Sequence, residues 1–329
     1  MSKAIRIGVL GAGTWGAALA RLLQNKGHSV TVWSAVEAEI EHLCSKGYHP
    51  NLPDARLPDQ IIYTKDISIA CKEQDMIVFA VPSPYVRATA QKAAPYVTES
   101  QIIVDVAKGI EINTFYTMSE IIADECKNPD IRIVALSGPT HAEEVIKDLP
   151  TAIVSACSDL QAAKYVQDVF NTDFFRVYTS DDIRGVELCG ALKNVIAVAC
   201  GIAKGIGCGD NAKAALITLG ITEMSRLGAA MGCREQTFSG LSGIGDLIVT
   251  ATSMHSRNYQ CGILLGKGVP IDQALLQVGM VVEGINTLPA AIMLAKKYNV
   301  YMPIIETVNA VVSETIDESE IIRLLMPMN

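Results

Sequence analysis

The chain has 329 residues, half of them hydrophobic and 5% aromatic, and a formal net charge of −8. That length supports two domains and a large core. The acidic balance excludes a non-specific nucleic-acid binder, which carries a basic excess, so any anion site must be built locally from a few cations and helix N-termini.

The nine cysteines are scattered, with no C-x-x-C spacing and no histidine pair beside them. This is the pattern of reduced intracellular thiols rather than a disulfide framework or a zinc site, and it predicts no metal. Met1-Ser2-Lys3-Ala4 leads straight into a strand and lacks signal-peptide character. The longest uncharged apolar run, residues 195–203, is about half of the roughly 20 residues a membrane span needs. Together these features predict a cytoplasmic protein without a membrane span.

Residues 5–10 are a short apolar run of strand type, and Gly11-Ala12-Gly13-Thr14-Trp15-Gly16 follows at once. Residues 17–24 carry helical periodicity that Gly27 ends, and residues 29–33 read as a second strand. In this context a G-x-G-x-x-G turn binds a dinucleotide. Gly11 allows the tight turn, Gly13 lets backbone approach the pyrophosphate, and Gly16 lets helix and strand pack closely. The helix N-terminus offers free N–H groups to the anion. The fingerprint also wants an acid at the end of the second strand for NAD, or a basic residue for the 2′-phosphate of NADP. Here Trp33 is followed by Ser34 and Ala35, with Glu37 further on. Ser34 can hydrogen-bond either ribose form. The cofactor is therefore NAD or NADP, with the lack of a local arginine tilting toward NAD.

Residues 37–46 read as a helix and 48–58 as a proline-punctuated loop. Further strands are expected at 74–81, 101–107, 131–136, 151–155 and 175–178. The turns after three of them are Pro82-Ser83-Pro84, Lys108-Gly109 and Ser137-Gly138-Pro139-Thr140-His141-Ala142. Strands alternating with helices imply a doubly wound sheet. Its loops at Gly11, Pro82, Lys108 and Gly138 should share the edge where open sheets place ligands. After about Arg184 strand-like runs vanish. The expected fold class is α/β: a Rossmann-like domain over 1–184, then an all-helical substrate and catalytic domain over 185–329.

Three clusters in the helical part stand out. Residues 186–199 form a helix that is apolar on nearly every side and belongs inside the protein. It nevertheless carries Glu187, Lys193 and Asn194. A lysine is almost never buried without a partner. Alone, Lys193 reads more readily as a stem lying along apolar surface than as a group placed for chemistry. Glu187 and Asn194 are seven apart and share a face, with Gly190 between them. The second cluster, Gly240-Leu241-Ser242-Gly243-Ile244-Gly245-Asp246-Leu247, reads as a buried glycine-rich loop whose acid wants a cation, most naturally a lysine. In the third, which ends on Asn258, Ser256 is a good N-cap and Arg257 would add charge to the helix dipole; this reads either as a phosphate-type anion clamp or as a plain cap with a surface arginine. His141 and His255 have no third group to orient them as general acids.

Together these motifs resemble the NAD(P)-dependent glycerol-3-phosphate dehydrogenases of the bacterial type. The match runs over nearly the whole chain and also covers Ala107-Lys108-Gly109, Asn211-Ala212-Lys213-Ala214-Ala215-Leu216 and Val281-Val282-Glu283-Gly284. The resemblance implies reversible reduction of dihydroxyacetone phosphate to sn-glycerol 3-phosphate, supplying the backbone for phospholipid synthesis. It implies a homodimer, and Lys193 as general acid/base assisted by Lys108 and Asp246. Gly138, Thr140, Lys108, Lys193, Asp246, Ser256, Arg257 and Asn258 match substrate contacts. Thr14, Trp15, Lys108, Ala142, Arg257, Val281 and Glu283 match cofactor contacts. Two positions depart from the family: Ser34-Ala35 stands where a basic residue is common, and Leu219 stands where the family often has arginine. A β-hydroxyacid or 6-phosphogluconate-type dehydrogenase shares the two-domain plan, and a non-catalytic dinucleotide sensor would share the fingerprint.

Overall fold

In the computed structural model, residues 4–316, 320, 321 and 323 are described. The first unit runs up to Ala107 and takes up again over Met118–Ile183. Its eight strands are β1 (Arg6–Leu10), β2 (Ser29–Trp33), β3 (Ile62–Thr64), β4 (Met76–Phe79), β5 (Ile102–Asp105), β6 (Arg132–Ser137), β7 (Thr151–Ala156) and β8 (Phe175–Ser180). Their order in the sheet is β3-β2-β1-β4-β5-β6-β7-β8. The helices between them are α1 (Thr14–Asn25), α2 (Glu37–Lys46), α3 (Ile67–Cys71), α4 (Val86–Ala93), α5 (Met118–Cys126), α6 (Ala142–Val145) and α7 (Leu160–Phe170).

Alternation along each strand feeds two apolar clusters. Ile7, Val9, Met76, Val78 and Val104 pack in one cluster, and Leu10, Ile77, Phe79 and Ile103 in the other. Strands buried on both faces read as continuous apolar runs, which is why the sequence exposes them so plainly. The short β3 escaped sequence reading. Three residues, Ile62-Tyr63-Thr64, are too few to show a period, and their pairing to β2 is what orders them.

The sheet departs from an all-parallel one at a single pairing, where β7 runs antiparallel to β6. A parallel return needs a crossover of a dozen or more residues, usually a full helix. Between Ser137 and Thr151 the only helix is the four-residue α6, so the chain turns back instead. The loops after β1, β4, β5 and β6 leave from the same edge, because those four strands are mutually parallel.

The second unit comprises Lys108–Thr117 and the described residues from Arg184 on. Lys108, expected with the first domain, thus belongs to the helical unit, as does the short 108–117 segment whose Ile110 joins that unit's core. The boundary is not a single cut at 184. The helices are α8 (Ile183–Ile206), α9 (Asp210–Ala230), α10 (Glu235–Phe238), α11 (Asp246–Thr252), α12 (Arg257–Gly266), α13 (Ile271–Val278), α14 (Glu283–Tyr298) and α15 (Pro303–Val312). Every residue of α8 from Gly185 to Ala203 is buried. Among the described residues α8 is the one helix long and apolar enough to cross a membrane, and its most apolar window is wholly buried inside the protein.

Candidate active site

In the first unit the glycine turn has the expected form. Gly11 has φ +124, a region closed to most side chains, and a Cβ there would sit 2.7 Å from the Ala80 carbonyl carbon. Its N–H donates to Trp33 O at 2.8 Å, tying the turn to the end of β2. Gly16 packs directly on the Gly11 carbonyl, and Gly13 faces open space. α1 begins at Thr14 with no side-chain cap. Thr14 Oγ1 is buried and has no hydrogen-bond partner among the described residues. Uncapped N–H groups, an unused hydroxyl and room for an anion fit the pyrophosphate of a dinucleotide. Trp15 packs half-buried against the core.

At the neighbouring strand end, Ser34 is already engaged. Its hydroxyl donates to Glu39 Oε2 at 2.6 Å and accepts from Val36 N at 3.0 Å. Glu37 is paired with Lys65 instead. Across the same edge, Thr140 Oγ1 donates to Gly138 O at 3.1 Å, and Gly138 lies against Ile153 of β7. Ala142 is buried at the start of α6, which packs on α1.

The second unit holds the cationic cluster. Lys193 is buried on α8, and its Nζ donates to Asp246 Oδ1 at 2.6 Å and to Thr250 Oγ1 at 2.5 Å. Lys108 Nζ donates to the other carboxylate oxygen, Asp246 Oδ2, at 2.6 Å. Thr250 Oγ1 in turn donates to Asp246 O, so its lone pair is aimed at the ammonium. Asp246 is buried too, and two ammonium groups share its one negative charge. Burial drives the Lys193 pKa down to about 7, against the pull of Asp246 and with the help of Lys108.

The glycine-rich stretch before Asp246 is not a loop, as the sequence suggested. Leu241–Gly245 is a π-helical turn that runs directly into α11. The wider turn accommodates Gly243, whose Cβ position would lie 2.0 Å from Phe238 O. π-turns re-aim a helix at functional sites, and here the turn delivers Asp246 and, one turn later, Thr250 to Lys193. Thr250 carries no sequence signal beyond its four-residue spacing from Asp246.

Ser256 caps α12, its hydroxyl accepting from Tyr259 N at 3.2 Å. Arg257 opens that helix half-buried, and its guanidinium makes no hydrogen bond or ion pair among the described residues. Asn258 serves as a bracket. Its Nδ2 donates to Asn194 Oδ1 at 2.9 Å, and its Oδ1 accepts from Gly284 N at 2.8 Å. That bond caps the start of α14, beside Val281 and Glu283. Asn194 Nδ2 donates to Gly190 O, so Asn194 holds α12 rather than Lys193. Leu219 stands exposed on α9.

A family model described as the NAD-dependent glycerol-3-phosphate dehydrogenase N-terminus matches residues 6–163, and the corresponding C-terminus model matches residues 182–323. A relative from Lactobacillus delbrueckii subsp. bulgaricus, named glycerol-3-phosphate dehydrogenase [NAD(P)+] 2, is 57% identical over 98% of this chain and 96% of its own length. The chain belongs to the NAD-dependent glycerol-3-phosphate dehydrogenase family. As a member it is an NAD(P)-dependent oxidoreductase. An Agathobacter rectalis relative, glycerol-3-phosphate dehydrogenase [NAD(P)+], is 52% identical over 98% of this chain and 95% of its own. Among solved structures, the glycerol-3-phosphate dehydrogenase of Coxiella burnetii superposes with a TM-score of 0.94 at 33% identity, covering 99% of both chains.

Proposed function

We propose that this chain carries out the reversible reduction of dihydroxyacetone phosphate to sn-glycerol 3-phosphate, with Lys193 as the proton donor. The observation that carries the assignment of the donor is the buried Lys193–Asp246 pair, joined by half-buried Lys108, with its lowered Lys193 pKa. The nicotinamide ring, when bound, supplies the hydride to C2 of the ketose. Thr14, Gly13 and the α1 N-terminus would hold its pyrophosphate, with Trp15, Ala142, Val281 and Glu283 as the remaining cofactor contacts.

Lys193 gives its proton to the alkoxide developing on the substrate oxygen, and takes it back in the reverse direction. Asp246 and Thr250 hold the ammonium in one orientation, so no reorganisation is needed as the proton moves. Lys108, fixed by the far side of the same carboxylate, polarises the carbonyl. Arg257, unpaired among the described residues in a protein of net charge −8, holds the phosphate with the capped start of α12. Gly138, Thr140 and Asn258 complete the substrate contacts.

Two further elements belong to the same reading. A cytoplasmic setting is supported by nine cysteines scattered over both units, five of them buried. Exposed apolar side chains on the helical unit, Leu276 and Tyr301 among them, support a homodimer. The test is an initial-rate assay with dihydroxyacetone phosphate on the native chain and on Lys193→Met. The variant should keep its fold and lose about 10²- to 10⁴-fold in kcat. Turnover near the native rate in a folded variant would remove Lys193 from the mechanism.

A further inference from the structure

The end of β2 lacks the acid that a dinucleotide fingerprint places there to hold the adenosine ribose. Ser34 occupies that position, buried, directly after Trp33. Its hydroxyl nevertheless touches a carboxylate, that of Glu39, at 2.6 Å. Glu39 lies in the first turn of α2, where the helix dipole favours negative charge. The geometry is fixed from both sides. Val36 N donates to Ser34 Oγ, which orients the hydroxyl hydrogen outward to Glu39, and Glu39 N donates to Val36 O. The carboxylate is half-buried and lies close enough to His49 to act on its charge.

We infer that Glu39 is the residue that selects NAD over NADP in this chain. It supplies from the helix the carboxylate that the strand end does not carry. The inference rests on the dinucleotide reading of the glycine turn and adds the form of the cofactor to it. Ser34 Oγ uses only one carboxylate oxygen, Oε2. The other is placed to accept from a ribose 2′-hydroxyl, and a 2′-phosphate would meet the charge of Glu39 at close range.

The cations nearby do not reverse the balance. Lys65, which with Lys92, Trp33 and Ala35 lines a cavity of about 560 Å³ beside the strand end, is paired to Glu37. Asp66 lines the same cavity. Glu37 pairs with Lys65, and Asp66 shares the cavity lining with Lys92, so carboxylates match the cations on that side. No arginine lies between Trp33 and Arg56 in the sequence.

The experiment is equilibrium binding of NADH and of NADPH, read by the fluorescence of the reduced nicotinamide, with no substrate present. The native chain, Glu39→Gln and Glu39→Arg are compared, each first shown to be folded by its far-ultraviolet spectrum and thermal midpoint. The native chain should bind NADH at least about tenfold more tightly than NADPH. Glu39→Gln should bring that ratio within about threefold of unity, and Glu39→Arg should invert it. Lys65→Gln should leave the native preference in place. A native preference for NADPH, or a ratio unmoved by Glu39→Gln, overturns the inference while the dinucleotide reading stands. Binding of neither cofactor by the folded native chain overturns both.

Discussion

Lys193 shows how burial sets chemistry at a single side chain. An exposed lysine is protonated throughout the physiological range and makes a poor base. Here desolvation lowers its pKa to about 7, so that ammonium and amine are both populated near neutrality. In its proposed role as proton donor, Lys193 must be ammonium for reduction and amine for oxidation. The rate of ketose reduction should therefore fall as pH rises through about 7, and glycerol 3-phosphate oxidation should rise over the same interval. Paired pH–rate profiles check this, and parallel profiles in the two directions would contradict it. Asp246 raises the Lys193 pKa, so in Asp246→Asn any residual reduction should lose its rate at lower pH than in the native chain.

Glu223 is a second buried ionisable group, far from this chemistry in role. From α9 its carboxylate accepts from Ile304 N at 2.7 Å and Ile305 N at 3.4 Å, capping α15. Burial pushes its pKa up to about 7 from an ordinary 4.5, with the two N–H groups and Arg226 opposing. A carboxyl raised in the fold stabilises it while protonated. That contribution is complete below about 4.5 and is lost as pH climbs through about 7. The stability of the native chain relative to Glu223→Gln should thus fall between pH 5 and pH 8, by on the order of 2 kcal/mol. Thermal unfolding of both proteins at the two pH values measures it.

At the scale of elements, the site depends on how α8 and α12 cross. A Cβ on Gly201 would lie 2.8 Å from the Gly262 Cα, and one on Gly205 would lie 2.8 Å from the Gly266 Cα. The two backbones touch through these paired glycines, and the pairs step along both helices together. Nearer the N-termini of both helices, outside the glycine register, Asn194 and Asn258 hydrogen-bond across the same helix pair. The crossing therefore sets where Arg257 sits relative to Lys193, although neither residue takes part in it. In Gly262→Ala the new methyl would meet Val198 O at 2.2 Å, so the helices must separate. We expect a loss of about 1–3 kcal/mol in stability and a KM for dihydroxyacetone phosphate raised about tenfold. Unfolding and steady-state kinetics on the variant report the two effects separately, and an unchanged KM would show that the crossing does not place the phosphate site.

Across the whole molecule, each unit closes its own core. The sheet has one apolar cluster on each face, and the helical unit packs around α8 with Ile110 contributed by the 108–117 segment. A cofactor that binds only the folded chain raises its stability by mass action. Thermal scans should show the midpoint climbing with the logarithm of NADH concentration, equivalent to about 2.7 kcal/mol at a hundredfold excess over Kd. A midpoint indifferent to NADH would contradict dinucleotide binding without reference to turnover.

Much of this protein was legible before any coordinates. Continuous apolar strands, the glycine turn in its strand–helix setting and the change of period near Arg184 identify the α/β fold, because each rests on local geometry. The tight turn through Gly11, Gly13 and Gly16 was legible for the same reason. Other features needed the third dimension. The antiparallel β7, the helical rather than looped approach to Asp246, and the grouping of Lys108 with the helical unit depend on which distant segments can reach one another. Thr250 and Glu39 went unread because a hydroxyl and a surface-type acid on helices carry no periodic signal, and only their contacts with Lys193 and Ser34 give them a part. Lys193 marks the division most clearly. The sequence alone determined that a lysine stood on an apolar helix. Only the fold decided that it would be sealed from water against a carboxylate shared with a second lysine, because a pKa depends on surroundings drawn from across the chain.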